Sequence, residues 1–371
     1  MKVSCLTFHD STNYGTVLQA YALQTVVTRL GHDYEIINYS NAEKHKHDSL
    51  FRKNRELSNI LYLYKLINLP QSYWKQKKFR RFTEKYLQTT QRFYTAKELQ
   101  DYADTRDAIL VGSDQVWNCR MIREDPAYFL RFAAPAKRIA YAASIGLSTL
   151  TMHEQEFYRE MLSEFHQISV REPTAAKLLE EIAHKNAEVV LDPTLLLTSE
   201  DWAKVATTPP PKPYIFAYVL EHNSNAQAFL KNLQKQTGLP VHYVSRGVVS
   251  AIRDGATYVP SPQEWVSQIM HAEYVVTSSF HGTAFSVNFR KNFFTFVNGS
   301  NTQSRQIDFL RAIGLEKRLN PEVCERISLD APDFSRADSC LRQKRAEAIA
   351  FLKTALAAVR KDVSRGKPSG D

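Results

Sequence analysis

The four cysteines of the chain, Cys5, Cys119, Cys324 and Cys340, are so scattered that they form no CxxC unit and no metal-ligand spacing. This speaks against a zinc ribbon or a dithiol redox site and leaves reduced thiols of a cytosolic protein as the expectation. No metal is expected, because the histidines and acidic residues do not cluster at ligand spacings either. No window approaches the roughly 20 apolar residues of a membrane span. The N-terminus, MKVSCLTFHD, turns polar too soon for a signal peptide, so a cytoplasmic location is expected. The first crossover loop, HDSTNYG from His9 to Gly15, lacks the GxGxxG that cradles a dinucleotide.

What is present is an ordinary globular composition, 43% hydrophobic and 23% charged. A length of 371 residues exceeds what one core usually serves, so two domains are expected. The net charge of +9 is local. Between Asn41 and Thr95 thirteen Lys or Arg face four Asp or Glu, which leaves 35 of each sign elsewhere. Within that segment WKQKKFRRFTEKYL, Trp74 to Leu87, interleaves cations and aromatics in a way that suits nucleic acid, a membrane surface or an anionic carrier lipid. The plainer reading is a solvated helix whose Trp74, Phe79, Phe82 and Tyr86 face the core.

Around this segment the chain alternates strand and helix. Val3–Phe8, a helical stripe from Val17 to Leu30 and Tyr34–Ile37 form a βαβ unit, which sets the class as α/β. Further strands are expected at Asp107–Val111, Arg138–Ala142, Gln167–Val170 and Glu188–Leu191, each ending in a short polar turn. Thr207 to Pro213, TTPPPKP, reads as a linker because three prolines continue neither helix nor central strand. A second α/β series then runs from Tyr214 to Val297, with a capping box of Ser261 and Glu264 opening one helix. The expected division is 1–206 with a basic helical insertion at 41–95, then 207–336, then a long helix packing back from 337 and a disordered tail SRGKPSGD.

The stretch Glu273 to Val287, EYVVTSSFHGTAFSV, carries the strongest functional signal. A buried strand, a small polar turn and a helix start follow one another, the arrangement at which ligands bind in open α/β sheets. His281 and Gly282 at the first turn offer an imidazole and backbone N–H groups to an anion.

Several segments together resemble the polysaccharide pyruvyl transferase family: TFHDSTNYGTVLQAYALQ (Thr7 to Gln24), VGSDQVWN (Val111 to Asn118), SVREPTAAKLL (Ser169 to Leu179), VLDPTLLL (Val190 to Leu197) and SSFHGTAFSV (Ser278 to Val287). The resemblance extends from Met1 to about Leu319. It implies a fold similar to the GT-B glycosyltransferases, two Rossmann-like domains facing a cleft. It further implies a transferase that takes phosphoenolpyruvate as co-substrate, with no other cofactor, forms a cyclic pyruvate ketal on two sugar hydroxyls and releases phosphate. The implied acceptor is a surface polysaccharide, exopolysaccharide or capsule, or its polyprenyl-linked precursor, with peripheral contact to the membrane through 41–95 and no nucleic acid. A GT-B glycosyltransferase using a nucleotide sugar, and a non-catalytic saccharide- or nucleic-acid-binding protein, stay open as alternatives.

Phosphoenolpyruvate carries a phosphate and a carboxylate, so its site needs cations and N–H donors, and its chemistry needs a general acid and a base. His281 matches the family position expected to touch the donor, as phosphate ligand or proton donor. A helix N-terminus disfavours its imidazolium, so the charged form depends on the bound dianion. Many members have an arginine two residues before this histidine, where this chain has Ser279. Arg171, itself at a family position, is the leading substitute and Arg305 the next, ahead of Arg246 and Lys291. Ser279, Gly282 and Thr283 complete the expected donor set. Asp114 is expected as base towards the acceptor or as a turn residue, with Ser113, Ser144, Asn13, Tyr14 and Gly15 on the acceptor side. Asp192 before Pro193 is expected as a turn and cap residue.

Overall fold

The computed structural model describes residues 1–40, 59–147, 149–165, 167–208, 213–220, 222–244, 259–298 and 304–365. For 59–70, 304 and 360–365 it describes the backbone alone. The segment 41–58, most of the proline linker, Arg246 and the last six residues of the tail lie outside the described residues.

Two all-parallel sheets build the molecule. The first contains β1 (Lys2–Leu6), β2 (Asp33–Tyr39), β3 (Thr89–Phe93), β4 (Ala108–Val111), β5 (Arg138–Ala143), β6 (Gln167–Val170) and β7 (Glu188–Val189). Their order is β3-β2-β1-β4-β5-β6-β7. The second contains β8 (Ile215–Tyr218), β9 (Val241–Tyr243), β10 (Tyr274–Thr277) and β11 (Asn292–Thr295), in the order β11-β10-β8-β9. Central strands such as β4 and β5 are buried along their whole length, as expected of parallel strands covered on both faces.

The helices that matter for the site are α1 (Tyr14–Arg29), α2 (Asn59–Tyr86), α3 (Ala96–Asp104), α4 (Met152–Leu162), α5 (Pro173–Ala183), α6 (Ser224–Thr237), α7 (Pro262–His271), α8 (Phe280–Asn288), α9 (Ser304–Ala312) and α10 (Ser335–Arg365). Local chemistry fixes their starts. Asn13 caps α1 by accepting from Gly15 N at 3.0 Å. Reciprocal capping boxes open α3 (Thr95 and Glu98), α4 (Thr151 and Glu154) and α7 (Ser261 and Glu264).

The expected insertion at 41–95 is corrected by β3. Thr89–Phe93 pairs parallel with β2, so α2 is the crossover of a βαβ unit and belongs to the Rossmann-like layer. One apolar cluster spans both sheets, joining Val3, Tyr14 and Trp202 to Phe216, Trp265 and Phe285, with Leu352 and Leu356 of α10 laid across it. Phe79 and Phe82 of α2 enter this core, at 2% and 0% exposure, whereas Trp74 is 57% exposed and does not face it.

Candidate active site

In open parallel sheets the crevice forms at the carboxyl ends of strands where the order reverses. In the first sheet that point lies between β1 and β4, and in the second between β8 and β10. The two points face each other. Gly15, at the start of α1, lies against His281, at the start of α8: a β-carbon on Gly15 would fall 1.9 Å from His281 Nδ1. Only glycine permits that approach.

Behind this contact is a buried ionic cluster. Arg171, at the end of β6, donates through Nη1 to Asp192 Oδ2 at 2.8 Å, with 2% and 0% side-chain exposure. Ser113 Oγ donates to the same oxygen at 3.2 Å, and His281 Nε2 lies 3.5 Å from it. The other oxygen accepts from Thr194 N at 3.0 Å and Thr194 Oγ1 at 2.7 Å. Asp192 is thus the expected turn and cap residue and also the anion that joins the two halves of the site. Burial alone raises its carboxyl pKa, but the positive charge of His281 and the charge and hydrogen bond of Arg171 overcome this and hold it well below the usual carboxylate range. Burial likewise works against the charge of Arg171, and Asp192, Glu172 and Asp114 more than restore it.

The cluster is incompletely satisfied. Arg171 Nε and Nη2, Glu172 Oε2 and His281 Nε2 are buried and make no hydrogen bond within the protein. Buried polar groups of native proteins nearly always have partners, so unbonded polar atoms gathered in one place mark where a ligand fits. Beside them is a cavity of about 100 Å³ lined by Arg171, Glu172, Asp192, Phe280, Arg305 and Lys344 among others. Phe280 supports the guanidinium of Arg171, whose centre lies 4.9 Å from the ring centroid. Arg305 of α9 lies within electrostatic reach of Arg171, Glu172, Asp114 and Asp192, and burial lowers its pKa from the ordinary guanidinium value.

The remaining expected residues divide by placement. Ser279 is the N-cap of α8, its Oγ accepting from Gly282 N at 3.4 Å. Gly282 is required by packing, since a β-carbon there would meet Thr277 Oγ1 at 2.2 Å. Thr283 is fully buried and donates to Ser279 O, so its side chain supports the turn and does not reach a donor. Asp114 has φ 72° and accepts from Gln115 N at 2.9 Å and Thr16 Oγ1 at 2.7 Å. Lys291 is directed away, to Met270 O at 3.3 Å.

The acceptor set needs correction. Tyr14 is 1% exposed, stacked on Trp265 and bonded to Pro260 O, because its ring fills the junction between the sheets. Ser113 and Ser144 are fully buried and committed to Asp192 and Glu172, so they position carboxylates and offer no sugar a contact. Asn13 remains exposed at the loop edge. Glu172, Asp192 as hub and Lys344 were not found as site residues from sequence. For Glu172 the available signal was its place next to Arg171 at a strand end.

The profile described as polysaccharide pyruvyl transferase matches residues 13–301. The chain belongs to the polysaccharide pyruvyl transferase family. No curated protein matches it in sequence. Among solved structures, a putative UDP-N-acetylglucosamine 2-epimerase from Listeria monocytogenes superposes with TM-score 0.52 at 9% identity, covering 100% of this chain and 98% of its own. The UDP-GlcNAc 2-epimerase of Neisseria meningitidis, bound to UDP-GlcNAc, gives TM-score 0.49 at 10% identity, covering 97% and 94%. Escherichia coli heptosyltransferase WaaC gives 0.39 at 9%, covering 81% and 90%. At such identities only the fold is shared, and the fold of this transferase family member is the expected GT-B-like pair of Rossmann-like layers.

Proposed function

We propose that this family member moves the pyruvyl group of phosphoenolpyruvate onto two hydroxyls of a glycan, forming a cyclic ketal and releasing phosphate. The observation that carries the reading is the set of open donors on Arg171 and His281 at the meeting of the two switch points. Arg171 presents Nε and Nη2 as one edge, suited to bidentate contact with a carboxylate or phosphate. Arg305 adds the second cation that a trianionic donor requires, in place of the arginine absent at Ser279. His281 stands where a leaving phosphate takes up a proton, and Asp114, on the α1 side, assists the acceptor.

A polyprenyl-linked precursor is the proposed form of the acceptor, reached from a membrane surface. The outer side of α2 supports this: Tyr73 and Trp74 are 60% and 57% exposed, Lys77 Nζ lies over the Trp74 ring, and Arg80 and Arg81 are exposed.

The test is calorimetric titration with phosphoenolpyruvate and, separately, nucleoside diphosphates, followed by incubation with phosphoenolpyruvate and a galactose- or N-acetylhexosamine-containing glycan panel. Phosphate release with a pyruvyl mass gain is expected. Arg171→Ala and His281→Ala should each weaken donor binding about 10- to 100-fold, since a hydrogen bond to a charged group is worth about 1.5–3 kcal/mol. Binding of a nucleoside diphosphate in preference to phosphoenolpyruvate would replace this reading with the nucleotide-sugar alternative. Donor binding unaffected by either variant would place the donor elsewhere.

A further inference from the structure

Glu172 is the N-cap residue of α5, yet it makes no capping bond to its own helix. Its side chain turns to the loop after β5, where Oε1 accepts from Ser144 Oγ at 2.8 Å, Ile145 N at 3.1 Å and Gly146 N at 3.2 Å. Three donors on one oxygen fix the carboxyl and leave Oε2 buried and without a hydrogen bond, 3.7 Å from Arg171 Nε, in a residue that lines the cavity. An N-cap carboxylate ordinarily bonds its own helix. This one is held by another loop, with its second oxygen facing the guanidinium of Arg171.

The neighbouring carboxylates are engaged on both oxygens: Asp192 by Arg171, Ser113 and Thr194, Asp114 by Gln115 and Thr16. Asp308 of α9 lines the same cavity but is only half-buried. Arg171 Nε is 3.7 Å from Glu172 Oε2, and Arg305 and Lys344 line the cavity with it. An anion seated on the open edge of Arg171 therefore lies alongside Oε2. Oε2 is then the unbonded carboxyl oxygen within reach of the bound donor.

We propose, resting on the phosphoenolpyruvate reading above, that Glu172 is the proton-transfer residue of the addition step. Its proton goes to the methylene carbon of the enol, which becomes the methyl group. The first sugar hydroxyl bonds to the central carbon and gives its proton to Glu172, which returns to its starting state. The bond from that carbon to the phosphate oxygen breaks, the electron pair leaving with phosphate. The second hydroxyl closes the ketal, and its proton departs on the phosphate by way of His281. One donor and two hydroxyls thus give one ketal and one hydrogen phosphate.

The experiment compares wild type with Glu172→Gln, whose amide oxygen can keep the three bonds from the 144–146 loop, and with Glu172→Asp. Donor affinity is measured by calorimetry and turnover by phosphate release with the glycan panel in deuterated water. Expected are donor affinity within about threefold of wild type for the Gln variant, turnover lower by about 10²- to 10⁴-fold, partial recovery in the Asp variant, and solvent deuterium in the methyl group of the wild-type product. Turnover of the Gln variant within threefold of wild type overturns the assignment alone. Loss of donor affinity in parallel with turnover overturns it too, making Glu172 a binding group. Failure of the wild type to bind phosphoenolpyruvate brings down the donor reading itself.

Discussion

A carboxylate without solvent contact stays ionised only where cations and donors surround it, and Asp192 is held in this way by Arg171, His281, Ser113 and Thr194. Removing one charge from a buried pair leaves the other uncompensated, at a cost of about 3–5 kcal/mol. Asp192→Asn is therefore expected to destabilise the protein by that order in urea unfolding at pH 7. The sign of its pH dependence follows from the depressed carboxyl. Its contribution is complete above the unfolded value of about 3.9 and declines as pH falls below it towards the lower folded value. Wild-type melting temperature should fall between about pH 5 and pH 2 more steeply than that of the Asn variant. Superimposable curves would remove Asp192 from this role. At this scale the sequence displays strand ends, and with the family resemblance these pointed to His281 and Arg171 as candidates. Glu172 and Lys344 were not, because what distinguishes them is an open oxygen and a cavity wall, both produced by chain segments far apart in sequence. Tyr14 was misplaced for the converse reason: its loop faces the cleft while its ring turns into the junction.

The capping box of Ser261 and Glu264 announced α7, and β6 coincides with its expected span of Gln167–Val170. The edge strand β3 did not, since TTQRF has no apolar run and buries only Phe93 fully. Missing it made a crossover helix look like an insertion. The same helix shows how cations of one segment differ in role. Lys78 bonds Glu264 Oε2 at 3.1 Å and Val259 O at 2.8 Å, and Lys75 lies over the Tyr14 ring, so both serve the contact with the second sheet's layer. Lys77, Arg80 and Arg81 lie on the side of Tyr73 and Trp74, within the half-turn that a 100° step per residue assigns them. Neutralising Lys77, Arg80 and Arg81 together to Gln should reduce binding to anionic phospholipid vesicles about 100-fold, at roughly 1 kcal/mol for each cation near the surface. Turnover on a short soluble acceptor should persist while turnover on the lipid-linked acceptor falls. Equal sedimentation of wild type and variant with anionic and zwitterionic vesicles would refute a membrane-facing α2.

For the whole molecule, the repeated strand–helix alternation was enough to read two α/β layers, but not how firmly they join. The expectation of two domains facing a cleft gives no hint that a single apolar cluster runs through both. Tyr14 lies at its centre, with ring centroids 5.3 Å from Trp265, 4.9 Å from Phe79 and 5.6 Å from Tyr218, and with its hydroxyl donating to Pro260 O at 2.9 Å. Arg345 of α10 adds a polar tie, donating to Leu195 O at 2.6 Å and to Asn288 Oδ1 at 2.8 Å. Because burial is shared, the layers should unfold together, giving one transition by tryptophan fluorescence and by circular dichroism. Tyr14→Phe leaves Pro260 O without its partner and should cost about 1–3 kcal/mol. Tyr14→Ala also opens a cavity among three aromatic rings and should cost about 3–5 kcal/mol. Gly15, the next residue, seats His281, so the Ala variant should weaken phosphoenolpyruvate binding as well while Tyr14→Phe leaves it near wild type. Two separated transitions in the wild type, with Tyr14→Ala shifting neither, would show that the layers are independent and that the site is assembled by some other contact.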